Sequence, residues 1–321
     1  MEILNNNCFE YEDWAICGTR GWFFEEERSG AHDEKVFKRE MMRLEASLKA
    51  AGEKRKMVFL HYPPRYKGYE CKEILELLEK IAPVELAEEW DNDGLMCSAD
   101  TSAEVRRVLC TLDVTEEIVD YAIEQCFDLI VSHHPLIFRP ITSITEDNPT
   151  ARKVIKLIES GVSVFSFHTR ADKVSGGVND SLCDLLGMFD TRAFGEGELG
   201  RIGELDEDMG LEDFAYKIKE TIGADAVRYA DGYNTVRRVA VVGGDGKSYI
   251  SAAIKEGADT FISGRIGYNV MEEASERGIN LIEAGHYFTE QPVTEFFRSI
   301  ILGADSGIDV EIAASNNITT I

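Results

Sequence analysis

Residues 108–133 (VLCTLDVTEEIVDYAIEQCFDLIVSH) lie without a gap over residues 239–264 (VAVVGGDGKSYISAAIKEGADTFISG), and this repeat constrains the fold more than any other feature. In each copy an apolar strand runs into a polar turn, a helix follows, and a second apolar strand begins after an aspartate. Asp128 falls on Asp259 and Ser132 on Ser263. A further helix over 151–159 and a strand over 163–167 continue the alternation. Strand and helix in turn build an α/β fold. Two related blocks predict two similar lobes, about residues 70–190 and 200–310.

A different segment precedes them. Residues 1–66 carry 12 acidic and 11 basic side chains, whereas residues 67–321 carry 47 and 23, and the change falls beside Pro63-Pro64 and Lys67-Gly68. A composition break at a proline turn marks a boundary. Within the first segment the pattern predicts a strand over Phe9–Cys17, a helix over His32–Ala51 and a strand over Lys56–His61, a small incomplete α/β unit with a thin core. Past the boundary, Ile74, Leu75, Leu77 and Leu78 predict a helix over Cys71–Lys80. A short helix then leads to Trp90, and the DNDG of residues 91–94 signals a turn.

Composition excludes several classes. No apolar run approaches the roughly 18 residues of a membrane span, and the start of the chain has no secretion-signal pattern, so a cytoplasmic protein is expected. The seven cysteines are scattered, with no CxxC pair, which argues against a disulfide scaffold or a thiolate zinc site. The net charge of -25 argues against nucleic acid as a partner.

Four of the six histidines, His133, His134, His168 and His286, fall at strand ends or just beyond. Crevices of α/β sheets collect their ligands there. Adjacent side chains point apart, so His133 and His134 can serve two ions about 3 to 4 Å apart. His168 and Asp172, and again His286 and Glu290, are four residues apart and add carboxylates to the imidazoles. Nitrogen and oxygen donors without thiolates suit zinc, manganese, iron, cobalt or nickel. In the repeat Gly264-Arg265 replaces His133-His134, so only one copy of this strand end supplies ligands.

LAEEWDNDGL (86–95), SHHPLIF (132–138), HTRAD with GGVND (168–180) and GHYFTE (285–290) together resemble the Nif-three-like family, the GTP cyclohydrolase I type 2 homologs, over about residues 70–310. The resemblance implies two α/β lobes flanking a dinuclear cleft, two divalent ions per chain held by His133, His134, Asp172, His286 and Glu290, and a toroidal homohexamer. It further implies a hydrolase that turns metal-activated water on a small nucleotide or phosphorylated substrate; a metal-binding assembly without turnover is the alternative. His168 is a candidate proton shuttle, as are Glu196 and Glu204 in an acidic loop, and Arg170 a candidate contact for a substrate phosphate. Where the family reads Gly-Asp, two residues, Tyr-His, this chain has Gly264-Arg265-Ile266-Gly267-Tyr268-Asn269. That departure touches substrate handling rather than the ligands. Residues 8–66 resemble a C-terminal fragment of a calcineurin-like metallophosphoesterase, with His61 matching one of its ligands and the others missing, and are expected to be non-catalytic.

Overall fold

The structure is a computed structural model that describes residues 8–11, 14–19, 31–52, 54–60, 78–103, 105–304 and 308–320. The chain divides into two compact units, Met1–Glu70 and Cys71–Ile321. His61 and residues 71–77 of the first expected helix lie outside the described residues; residues 78–80 are helical, and Leu78 is buried.

In the first unit β1 (Phe9–Tyr11) and β2 (Trp14–Thr19) pair antiparallel, Phe9 opposite Ile16. The single strand expected over Phe9–Cys17 is therefore two paired strands, and the partial alternation through both hides the division. The helix Ala31–Ala50 then carries the chain to β3 (Arg55–Leu60), which lies parallel to β2. Parallel neighbours need such a crossover. The core is thin, built on Ala15, Cys17 and Ala51.

The second unit contains β4 (Gly94–Cys97), β5 (Arg107–Thr111), β6 (Leu129–Ser132), β7 (Ser163–Ser166), β8 (Phe189–Phe194), β9 (Gly200–Met209), β10 (Arg228–Ala230), β11 (Val236–Asp245), β12 (Thr260–Arg265), β13 (Asn280–Glu283) and β14 (Asp309–Ala313). They form two sheets, ordered β14-β5-β6-β7-β4 and β10-β13-β12-β11-β9-β8. The centre of each is a parallel trio in chain order, β5-β6-β7 in one and β11-β12-β13 in the other. The aligned repeat thus occupies equivalent places in a mixed α/β unit.

Both faces of each trio are covered, which is why these strands read as apolar runs. In the first sheet Val108, Cys110, Leu129 and Val131 pack under Phe297 and Ile301 of the helix Val293–Ala304, while Leu109, Ile130 and Val164 meet Ile118 and Leu157 from the helices Glu116–Glu124 and Pro149–Ser160. Local chemistry fixes those helices. Thr115 Oγ1 accepts from the Ile118 N–H at 3.2 Å, and Asn148 caps a helix that opens on Pro149 and ends at the left-handed Gly161. In the second sheet Val239, Val241 and Ile282 pack against Leu182 and Phe214 on one side, and Ala240, Val242 and Leu281 against Ile250 and Met271 on the other.

Candidate metal centre

His133 and His134 prolong β6 by two residues, their N–H groups donating to the Thr111 and Leu112 carbonyls at 3.2 and 2.9 Å. This backbone pairing fixes where the rings start. His133 is fully buried, and its Nδ1 donates to the Phe167 carbonyl at 3.0 Å. That bond assigns the proton to Nδ1 and leaves a lone pair on Nε2. Nε2 has no hydrogen-bond partner among the described residues; it faces Asp172 Oδ1 at 3.6 Å and Glu290 Oε1 at 3.9 Å. Burial pushes the His133 pKa down to about 4, so the ring stays neutral.

His134 is held at both ends. Its Nδ1 is 2.7 Å from Asp113 Oδ1 and its Nε2 3.0 Å from Glu290 Oε2. Burial opposes its charged form, but these two carboxylates outweigh burial and raise its pKa to about 10. His286, at the start of the helix His286–Glu290, brings Nε2 to 3.0 Å from the same Glu290 oxygen. Burial alone would raise the Glu290 carboxyl, yet the three imidazoles that face it, two of them at 3.0 Å, hold it well below its ordinary range. Asp172, on the short helix Thr169–Lys173, goes the other way: burial first and the Glu290 charge second push it well above the ordinary carboxylate range.

The five residues expected as ligands therefore converge. Ligand atoms of His133, Asp172 and Glu290 lie within 4.8 Å of one another, as do those of His134, His286 and Glu290, and of His133, His134 and His168. Imidazoles and carboxylates that range from the buried His133 and Glu290 to the exposed His286, gathered around an unpaired ring nitrogen, fit a divalent cation, for which such donors are the usual set.

The second sheet reaches this cluster differently, and glycine is the reason. A Cβ at Gly264, which aligns with His133, would meet His286 Cα and Thr289 Oγ1 at 2.6 Å. At Gly244, with φ of +63°, it would run into Glu290 Oε1. The helix His286–Glu290 sits directly on these strand ends, and only bare backbone leaves it room.

Residues that the sequence reads only as turns and caps grip the cluster from behind. Asp91, in the DNDG turn, accepts from His168 Nδ1 at 2.8 Å and from the Thr169 N–H and Oγ1 at 3.1 and 2.6 Å. Asp93 accepts from the His168 N–H at 3.1 Å. Asp113 is steadied by Ser315, whose hydroxyl donates to it at 3.1 Å. The strand-end placement of Asp113 in LDVTEE was the one available signal; nothing in the turn signal points to Asp91.

Two expectations need correction. Arg170 does not face the cleft: it is fully buried, stacked 4.3 Å from the Phe167 ring, bonded to Asp93 at 2.8 Å and the Ala82 carbonyl at 3.1 Å, and paired with Glu79 at 3.0 Å. Its charge is consumed by structure, so no substrate phosphate meets it. Glu204 is not in a loop but in β9, where it pairs with Arg238 of β11 at 3.3 Å. Glu196, by contrast, lines a cavity of about 780 Å³ that opens on His134, His168, Asp172, His286 and Glu290. Arg265 and Asn269 are exposed and lie outside that lining.

Among the described residues no helix is long and apolar enough to cross a membrane. Residues 69–320 match the family described as Duf34/NIF3 (NGG1p interacting factor 3). A GTP cyclohydrolase 1 type 2 homolog of Clostridium perfringens is 37% identical over 231 residues, covering 70% of this chain and 88% of the relative. One from Clostridium acetobutylicum is 34% identical over 259 residues, covering 77% and 96%. Among solved structures, a hypothetical protein of Staphylococcus aureus superposes with a TM-score of 0.71 at 28% identity, over 79% of this chain and 100% of its own. Reduced HcgD from Methanocaldococcus jannaschii gives 0.67 at 27% identity, over 76% and 97%. The motifs, the paired sheets and these matches agree: the chain belongs to the Duf34/NIF3 family.

Proposed function

We propose that this protein is a metal-dependent hydrolase that binds two divalent transition-metal ions on His133, His134, Asp172, His286 and Glu290 and acts on a small heterocyclic or nucleotide substrate. The observation that carries the reading is the His133 nitrogen, buried, neutral and unpartnered, turned toward two carboxylates. An orphaned buried acceptor is costly, and a cation removes the cost. Divalent ions in such a pair act as Lewis acids and make water nucleophilic near neutral pH.

The chain's own residues supply the rest. Asp113 fixes the His134 ring through Nδ1 and so aims Nε2 into the cluster. His168 has its Nδ1 fastened to Asp91, which leaves Nε2 as the nitrogen free to take a proton from water and deliver it to a leaving group. The open cavity above the cluster favours turnover over a non-catalytic, metal-handling assembly, since it offers room for a substrate beside the donors. We further propose the homohexameric, cytoplasmic state that the family resemblance supports, which sedimentation analysis and fractionation would test.

The deciding experiment is metal content per chain by plasma mass spectrometry, with Asp172→Ala alongside. Two ions per chain in the native protein and a sharp loss in the variant support the centre; a value near zero after incubation with added metal and desalting sinks it. Screening nucleosides, nucleotides and phosphoesters with the loaded protein then separates hydrolase from metal handler.

A further inference from the structure

The cavity wall beyond the ligands is aromatic on one side and acidic on the other. Trp90, Phe138 and His168 stand mutually edge-on, with ring centroids 6.2 Å apart for Trp90 and Phe138, 6.2 Å for Trp90 and His168 and 6.0 Å for Phe138 and His168. Trp90 is 62% exposed and Phe138 43% exposed, so the faces of large apolar rings stay open beside a polar floor. Exposed rings at a cavity mouth are suited to stacking on a planar ligand.

Outside the ligand cluster the charged side chains of the same wall are all acidic. Glu88, Glu196 and Asp245 line it in addition to Asp172 and Glu290, and among the described residues no lysine or arginine does. Lys173 and Lys247, outside the lining, are paired with Glu88 and Asp245 at 2.7 and 3.3 Å, and Arg170 is fully buried. Among the described residues the lining thus holds no guanidinium or ammonium group for a polyphosphate, and the two lysines beside it are already engaged by carboxylates, whereas nucleotide sites normally meet that group with arginine, lysine or a helix N-terminus. A cleft lined by one sign of charge repels ligands of that sign.

From this we infer that the cavity takes a planar nitrogen heterocycle without a polyphosphate tail, a free base or nucleoside, stacked on Trp90 and Phe138 with its polar edge toward the ligand cluster. A nucleoside triphosphate is disfavoured, because its tail would have only the metal ions to set against three further carboxylates. The inference rests on the metal centre proposed above and narrows its substrate class.

The test uses the full chain with its metal content measured first, titrated with guanosine and with GTP in magnesium buffer at physiological ionic strength and followed by calorimetry. Guanosine binds about tenfold or more tightly than GTP if the wall acts as described. Trp90→Leu weakens guanosine about fivefold or more, in keeping with the loss of a stacked ring, at unchanged metal content. The double substitution Glu196→Gln and Asp245→Asn narrows the gap between the two ligands. GTP binding as tightly as guanosine overturns the inference, as does the absence of binding by either with the metals in place. A Trp90→Leu variant that changes oligomeric state but not ligand binding also overturns it, assigning the rings to an interface between copies. Loss of metal from the native protein is a separate failure, that of the centre itself.

Discussion

Nε2 of His133 stands 3.6 Å from Oδ1 of Asp172, beyond a hydrogen bond. Two donors about 2.1 Å from one shared ion at a tetrahedral angle stand roughly 3.4 Å apart, so the spacing is that of two ligands of one cation. On the proposed metal centre, chelation is expected to cost stability. At metal concentrations near 100 times Kd the ions contribute about 2.7 kcal/mol. Treatment with EDTA is expected to lower Tm by about 5–10 °C for a unit of this size. Differential scanning calorimetry checks this; Asp172→Ala, which binds poorly from the start, should show little further drop.

Among the described residues Asp113 reaches the cluster through its hydrogen bond to His134. Asp113→Asn should leave the fold intact and weaken metal binding about 10- to 100-fold, because the ring loses the partner that orients it. Competition against a chromogenic chelator gives the ratio, and an unchanged affinity would remove Asp113 from the support of the site.

Gly244 and Gly223 both lie in the left-handed region, φ +63° and +67°, but only Gly244 is crowded. Gly223→Ala should cost about 1 kcal/mol from backbone conformation alone. Gly244→Ala must also push Glu290 aside and is expected to cost about 2 kcal/mol more and to reduce bound metal. Urea unfolding and metal analysis of the two variants separate the effects.

Asp91 sets an acid limit. Burial works to raise its pKa, but the hydrogen bond with His168, the charge on that ring and the bonds from Thr169 prevail and lower it from 3.8 to about 2. A folded-state pKa below the unfolded value adds stability that is complete above pH 3.8 and disappears as pH falls through about 2. The shift corresponds to about 2 kcal/mol. In metal-free protein the stability gap between the native chain and Asp91→Asn should therefore be full at pH 6 and shrink below pH 4; a constant gap would mean that the carboxylate charge contributes nothing.

Burial pushes the thiols of Cys97 and Cys183 up to about 12, and that of Cys110 higher still, whereas Cys126 is exposed. Brief alkylation of the folded protein at pH 8, mapped by mass spectrometry, should label Cys126 and spare the other three.

The trios β5-β6-β7 and β11-β12-β13 were legible because buried parallel strands are apolar on both faces, and such runs between helices are hard to mistake. The gathering of His133, His134, His286 and Glu290 in one place was legible because chemistry-bearing side chains at the ends of those runs have few structural reasons to be there. Asp91 and Asp113 were not, since each acts on a partner distant in sequence and its own neighbourhood reads as a turn or a cap. Arg170 misled for a related reason: a lone arginine beside a candidate ligand looks like an anion contact until the aromatic pair Phe165 and Phe167 is seen to cover it. Glu204 was hidden by the acidic composition of β9, whose partner β11 supplies arginines across the sheet.

The glycine at 264 bears on stoichiometry. A chain built from two like halves would, by pseudosymmetry, be expected to carry two equal clusters, one at each strand end. Here the second strand end is filled by the helix that brings His286 and Glu290 to the first, so one half gives up its own site to complete the other's. Among the described residues the duplicated architecture therefore yields one cluster of candidate ligands, and the halves are complementary parts rather than interchangeable copies.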